Sequence, residues 1–132
     1  MTLDRNKRIL VVDDSSSIRL LVTGTLEEMN GFIVTEASNG FEAIRLVSSN
    51  DYDLVITDVN MPEITGLELV RFMRTHKDLE TIPIIVISTE GSHADQKKAL
   101  DLGANAYLIK PFEISDLKSA VLKVLGEIHA RR

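Results

Sequence analysis

The sequence contains no cysteine, and its aromatic residues amount to only 5% of the chain. Without cysteine, a disulfide framework, a thiolate metal site and a cysteine nucleophile are all excluded. No apolar run approaches the length that a bilayer-spanning helix needs. The first eight residues, MTLDRNKR, are polar and lack the apolar core of a signal peptide. We therefore expect a cytoplasmic protein that does not associate with a membrane.

Positive charge is also scarce. The 15 Lys and Arg residues are outnumbered by 20 Asp and Glu residues, which gives a net charge of −5. A mildly acidic domain binds the phosphate backbone of nucleic acids poorly, so we expect no nucleic-acid partner. The length of 132 residues suits one domain with one hydrophobic core. With no linker or low-complexity segment, the sequence predicts a single domain over residues 1–132, with its core at about 8–128.

Short apolar segments alternate with segments of helical period along the whole chain. The predicted strands are Arg8–Asp13, Phe32–Ala37, Leu54–Thr57, Ile84–Ser88 and Ala106–Ile109. Two predicted helices begin after Ser15 and after Asn39-Gly40, and two more span Leu67–His76 and Ala94–Leu102. The fifth predicted helix has an apolar face formed by Ile114, Leu117, Val121, Val124 and Ile128. This alternation predicts an α/β fold, with a parallel sheet covered by helices on both faces. The fourth helix has few apolar anchors, so we expect it to be the least firmly held.

Three aspartates and one lysine close apolar runs. Asp13 and Asp14 follow ILVV, Asp58 follows LVIT, and Lys110 follows YLI. A single aspartate after a strand is usually a turn residue or a helix cap. Parallel strands, however, end at one edge of the sheet, where three carboxylates would repel one another unless a cation joined them. Since no histidine or cysteine lies nearby, the favoured ion is Mg²⁺.

Taken together, these motifs resemble the receiver domain of two-component response regulators over essentially the whole chain. The resemblance rests on the pair Asp13-Asp14, on Asp58 within DVNMPEITG, on Ser88 after strand four, and on Lys110-Pro111-Phe112. It implies a flavodoxin-like, doubly wound five-stranded sheet in the order 2-1-3-4-5, the order known for the chemotaxis member of that family.

The resemblance also implies a role for each matching residue. Asp58 would accept a phosphoryl group from a phosphohistidine as an aspartyl phosphate. Mg²⁺ would be held by Asp13, Asp14, Asp58 and the backbone carbonyl of Asn60. Lys110 and Ser88 would contact the phosphoryl oxygens, and the Lys110–Pro111 bond would be cis. Such a domain catalyses only its own phosphorylation and dephosphorylation, so we do not expect an enzyme with an external substrate.

Of four further positions, three have two interpretations each. Tyr107 is either filler in a short strand or, by resemblance, a switch residue that moves with Ser88. Thr89 departs from the small residue usual in receivers, and we expect it to narrow access to the phosphoryl site. Asn60 and Glu90 flank the pocket, either as modulators of the reaction or as ordinary polar loop residues.

The expected partners follow from the same resemblance. They are a sensor histidine kinase or histidine phosphotransfer protein, and a target protein that binds the face formed by helix four, strand five and helix five. The segment VDDSSSIR is closest in style to single-domain chemotaxis regulators, and we expect no DNA-binding domain after helix five.

Two alternatives remain at this stage. A phosphohydrolase of the haloacid-dehalogenase type also forms an aspartyl phosphate, but it needs a second acid where this chain has Asn60. A degenerate receiver would serve only as a binding module. The presence of Asp13, Asp14, Asp58, Ser88 and Lys110 argues against it.

Overall fold

The computed structural model describes residues 6–130, with side chains described as far as residue 126. The side chain of Ile128, predicted to lie on the apolar face of the last helix, is therefore outside the described residues. The elements, in chain order, are β1 (Lys7–Val12), α1 (Ser16–Glu28), β2 (Phe32–Ala37), α2 (Gly40–Ser49), β3 (Leu54–Asp58), α3 (Gly66–Arg74), β4 (Ile84–Ser88), α4 (His93–Leu102), β5 (Ala106–Ile109) and α5 (Ile114–Ala130).

All five strands pair in parallel, in the order β2-β1-β3-β4-β5. The predicted fold and strand order are thus confirmed. Of the three inner strands, β3 and β4 are buried along their whole length and β1 along its last four residues, whereas the edge strands β2 and β5 are partly exposed. Burial on both faces explains why the inner strands are continuous apolar runs without alternation.

The helices cover the sheet in two layers. Side chains of α2, α3 and α4 pack on one face, and side chains of α1 and α5 pack on the other. Side chains cap the starts of the first four helices, Ser15 for α1, Asn39 for α2, Thr65 for α3 and Ser92 for α4. Within residues 6–130, no helix combines the length and the apolar character that a bilayer crossing requires.

Several predicted boundaries were wrong by one or two residues. Strand β1 ends at Val12 rather than at residue 13, while β3 extends to include Asp58. Helix α3 was predicted to reach residue 76 but ends at Arg74. The hydroxyl of Thr75 donates to the carbonyl oxygens of Arg71 and Phe72, at 3.0 and 3.1 Å, and these bonds close the last turn.

Helix α4 is held mainly at its C-terminal end. Ala99 is its only buried residue, as the weakly apolar sequence predicted. Gly103 ends the helix in the left-handed region, with φ 119°. The guanidinium of Arg74 donates to the carbonyl of Gly103 at 3.0 Å and to the side chain of Asn105 at 3.1 Å. These bonds tie the end of α4 to the end of α3.

Candidate functional site

Three carboxylates meet at the carboxyl edge of the sheet. Val12 of β1 pairs with Thr57 of β3, so the next residue along each strand, Asp13 and Asp58, lies at the same edge. Carboxylate oxygens of Asp13, Asp14 and Asp58 all lie within 4.8 Å of one another. The predicted gathering of these aspartates is present in the structure. Asp13 and Asp58 are buried, whereas Asp14 is exposed.

The ammonium of Lys110 lies among these carboxylates. Its Nζ is 3.1 Å from Oδ1 of Asp58 and 3.4 Å from Oδ2 of Asp13. Lys110 directly follows β5, and its N–H donates to the carbonyl of Ser88 at 2.8 Å. The Lys110–Pro111 peptide bond is cis, as the resemblance implied. One cation thus faces two buried carboxylates, which leaves the cluster with net negative charge.

Burial raises the pKa of Asp58 above its ordinary value, because the charged form is desolvated. The neighbouring Lys110 ammonium lowers this pKa, the Asp13 carboxylate raises it, and the backbone N–H of Asn60 lowers it; the net shift is upward. Oδ1 of Asp58 is fully buried and, despite the ion pair with Lys110, has no hydrogen bond of good geometry. A buried carboxylate in this condition is suited to receive a cation or a new covalent partner.

Asp13 and Asp14 differ in how firmly they are held. Oδ1 of Asp13 accepts a hydrogen bond from the N–H of Ser15 at 2.8 Å, and the backbone N–H of Asp13 donates to the carbonyl of Ala37 at 3.1 Å. The side chain of Asp14 makes no hydrogen bond or ion pair with any residue in the described part of the chain. Carboxylate oxygens are the ligands that Mg²⁺ prefers, and the buried Oδ1 of Asp58 lacks a full partner. This donor set fits a hard divalent cation.

Ser88 and Tyr107 lie beside the cluster. Ser88 is completely buried at the end of β4, and its Oγ accepts from the N–H of Glu90 at 2.9 Å. The ring of Tyr107 is half-buried, and its hydroxyl donates to the carbonyl of Glu90 at 2.6 Å. Both residues line one small cavity of about 50 Å³, together with Val59 and Leu67. The two predicted switch residues are therefore neighbours around a shared space.

Two exposed loops meet at the mouth of the site. The side-chain amide of Asn60 donates to the hydroxyl of Thr89 at 3.3 Å, across the loops that follow β3 and β4. The sequence had indicated only the bulk of Thr89, not this bond. Glu90 contributes its backbone to the bonds of Ser88 and Tyr107, and its side chain is exposed.

Sequence reasoning missed two residues that touch the backbone of the site. The guanidinium of Arg19 donates to the carbonyl of Asp13 at 2.7 Å. Gly66 begins α3 so close to β3 that a Cβ on it would lie 2.1 Å from the carbonyl oxygen of Asp58. Gly66 closes the DVNMPEITG string, which was a usable signal; nothing in the sequence indicated the carbonyl contact of Arg19.

Apolar surface is exposed at two places near the site. A cavity of about 260 Å³ adjoins Lys110, lined by Ile18, Leu21, Thr89, Pro111 and Phe112. On the other side, the three elements of the predicted target-binding face each expose an apolar side chain: Leu100 on α4, Ile109 on β5 and Ile114 on α5.

Comparison with known proteins gives one consistent result. The family model described as the response regulator receiver domain matches residues 9–122. A chemotaxis protein CheY homolog of Campylobacter jejuni is 45% identical over 120 residues, which are 90% of this chain and 92% of that protein. A high-resolution structure of the chemotaxis response regulator CheY4 of Vibrio cholerae is similar with a TM-score of 0.84 and 36% identity, over 89% of this chain and 98% of that one.

A further similar structure contains a metal ion. It is the receiver domain of a sensor histidine kinase from Pseudomonas aeruginosa, solved with magnesium coordinated in its active-site cleft. It aligns with a TM-score of 0.83 and 26% identity, over 92% of this chain and 98% of that one.

Proposed function

The chain belongs to the response regulator receiver domain family, and on that premise we propose that it is a cytoplasmic, CheY-like response regulator that accepts a phosphoryl group on Asp58. The observation that carries the proposal is the state of the Asp58 carboxylate. It is buried, it is paired with Lys110 at 3.1 Å, and it adjoins two further carboxylates. A nucleophile, a fixed cation and a metal-binding donor set are the parts that phosphoryl transfer requires.

In the proposed reaction, a carboxylate oxygen of Asp58 attacks the phosphorus of a phosphohistidine. The P–O bond forms as the P–N bond breaks, and the electron pair of the broken bond leaves with the imidazole nitrogen. Lys110 neutralises charge on the phosphoryl oxygens, and Ser88 donates its hydroxyl to one of them after releasing Glu90. Attack by water on the aspartyl phosphate later restores the carboxylate. The chain therefore acts on itself and turns over no external substrate.

Asp13, Asp14, Asp58 and the backbone carbonyl of Asn60 are the groups that would hold Mg²⁺. When bound, the ion supplies positive charge that offsets the repulsion among the carboxylates and orients a phosphoryl oxygen. The cluster of this chain and the magnesium in the similar Pseudomonas receiver both support this assignment.

The phosphodonor is a sensor histidine kinase or a histidine phosphotransfer protein. The apolar cavity between α1 and the segment Lys110–Phe112 adjoins the phosphoacceptor pocket and offers such a donor a docking surface. Thr89 lines this cavity and is bonded to Asn60, so we expect it to narrow the approach to Asp58.

The output is the binding of a target protein to the face formed by α4, β5 and α5. Phosphorylation adds a charge of about −1.5 to −2 at the pocket. When Ser88 moves toward the phosphoryl group, it frees the N–H of Glu90, and the neighbouring Tyr107 and α4 readjust. The weak burial of α4 makes it the element best able to adopt two positions.

The alternatives are not favoured. A phosphohydrolase of the haloacid-dehalogenase type needs an acid two residues after the nucleophile, and Asn60 has no titratable proton. A degenerate receiver would not retain the pair of Lys110 with two buried carboxylates.

Mass spectrometry after treatment with acetyl phosphate and Mg²⁺ tests the proposal. We expect one added phosphoryl group, lost in Asp58→Asn and in the presence of EDTA, and retained in the control Asp51→Asn at the opposite edge of the sheet. Undiminished labelling of Asp58→Asn would contradict the assignment of the phosphoacceptor. Release of phosphate from an external phosphomonoester would favour the hydrolase instead, and a wild-type chain that traps neither phosphate nor beryllofluoride would be a degenerate receiver.

A further inference from the structure

Arg19 contacts the acidic loop without belonging to the acidic cluster. It lies in the first turns of α1, and its side chain is only 18% exposed. One nitrogen of the guanidinium, Nη1, donates to the backbone carbonyl of Asp13 at 2.7 Å. Another, Nε, donates to Oε1 of Glu36 on β2 at 3.0 Å. Arg19 thus links the loop after β1 to the edge strand of the sheet.

The carbonyl oxygen that Arg19 holds belongs to the peptide unit between Asp13 and Asp14. That unit is planar, so holding its oxygen also restricts where the amide nitrogen and Cα of Asp14 can lie. The side chain of Asp14 has no hydrogen bond or ion pair with any other described residue, in contrast to that of Asp13. The backbone bond from Arg19 therefore restrains where the Asp14 carboxylate lies.

We propose that Arg19, itself oriented by Glu36, is the positioning residue for Asp14 as a ligand of the divalent cation. This inference rests on the proposed function, because it assumes that the acidic cluster holds Mg²⁺. Arg19 does not touch the cation; it acts through the backbone of the loop. Outer-shell partners of this kind commonly change metal affinity by 10- to 100-fold when they are removed.

The sign of the effect separates positioning from simple electrostatics. Arg19 is a cation close to a cation site, so its charge alone opposes Mg²⁺ binding. If only charge mattered, Arg19→Gln would bind Mg²⁺ more tightly, and Arg19→Lys would bind it as the wild type does. If Arg19 positions Asp14, both variants bind Mg²⁺ more weakly, because neither reproduces the two directed donors of the guanidinium.

The experiment is a titration of the full chain with MgCl₂ at constant ionic strength, in which binding is measured by the amide chemical shifts of residues 12–16 and 58–60. We expect the Kd for Mg²⁺ to rise about 10-fold in Arg19→Gln and by a smaller factor in Arg19→Lys. Arg45→Gln is the charge-matched control, since Arg45 is exposed on α2 and the one ion pair of its side chain, among the described residues, is with Glu42. Its Kd should equal that of the wild type.

Unchanged or tighter binding by both Arg19 variants, with normal binding by the wild type, would overturn the inference and leave the proposed function standing. No Mg²⁺ binding by the wild type would overturn both. Amide spectra recorded without Mg²⁺ report whether each variant is folded, and Arg19→Lys keeps the inference testable if Arg19→Gln does not fold.

Discussion

Substitution of Gly66 should lower both the stability of the fold and the rate of phosphorylation. An added Cβ would lie 2.1 Å from the carbonyl oxygen of Asp58, 2.8 Å from its carbonyl carbon and 2.9 Å from Cα of Val59. All three atoms are backbone, so no flexible side chain can move aside. Relief requires α3 and the end of β3 to separate by about 1 Å, which also stretches the 3.0 Å bond from the N–H of Gly66 to the carbonyl of Val59.

The cost of Gly66→Ala can be estimated from these contacts. Overpacking costs about 1–3 kcal/mol and a weakened hydrogen bond about 1 kcal/mol, while alanine in place of glycine at a helical position returns up to about 1 kcal/mol. The free energy of unfolding should therefore fall by about 1–4 kcal/mol. For a chain of this size, that corresponds to a decrease in Tm of roughly 4–16 °C.

The rate of phosphorylation should fall as well, because the displaced backbone includes the phosphoacceptor Asp58. A misplacement of about 1 Å can cost two orders of magnitude in rate. We expect labelling of Gly66→Ala by acetyl phosphate, measured below its Tm, to be roughly 10- to 100-fold slower than that of the wild type.

Gly24→Ala is the matched control. Gly24 lies inside α1, and an added Cβ would meet nothing within 4 Å. This variant should gain about 0.5–1 kcal/mol and keep the wild-type rate of phosphorylation. If Gly66→Ala were as stable and as reactive as Gly24→Ala, the close approach of α3 to β3 would not be the constraint that we infer.

The remaining predictions concern the pocket. Because burial raises the pKa of Asp58 in the folded state, its carboxyl contributes stability that is fully present below its unfolded pKa of about 4 and is lost as the pH rises through the raised folded pKa. Asp58→Asn should therefore be more stable than the wild type at pH 7 without Mg²⁺, by about 1 kcal/mol, and this gain should disappear near pH 4. Denaturant unfolding at the two pH values measures the difference. A variant less stable than the wild type at pH 7 would contradict the argument. Ser88→Ala should still accept phosphate but lose most of the response of the target-binding face. Amide shifts of residues 94–108 and 114–121 with and without beryllofluoride report this response, and a full response in Ser88→Ala, or a silent face in the wild type, would place the switch elsewhere.

The sequence predicted the elements of the fold better than their ends. Runs such as Ile84–Ser88 are apolar throughout because both of their faces are covered, and such a pattern is visible without a structure. The end of α3 was misplaced because it depends on the hydroxyl of Thr75, which bonds back to carbonyls only once the last turn exists. The strand order came from the family resemblance, since periodicity alone does not determine which strands are neighbours.

The candidate site likewise contains features that the sequence predicted and features that it did not. The aspartates and Lys110 could be found because each follows a strand, and the parallel sheet brings strand ends together. Gly66 itself could be found at the end of the DVNMPEITG string, but its contact and that of Arg19 could not be predicted, because each is made to a backbone carbonyl, and a carbonyl is present at every position of a sequence. The difference between buried Asp13 and exposed Asp14 likewise depends on the path of one loop.

Because α4 is held at one end, it can rotate about that end as a lever does. Arg74 fixes the helix at Gly103, whereas its first residue, His93, is exposed. A helix of 10 residues is about 15 Å long, so a rotation of only 10° about the fixed end would carry the free end through about 2.6 Å. The free end adjoins the segment that bonds Ser88 and Tyr107. A change at the pocket would thus act on the end of α4 that can move most, and Arg74, far from the phosphoacceptor, would set the pivot.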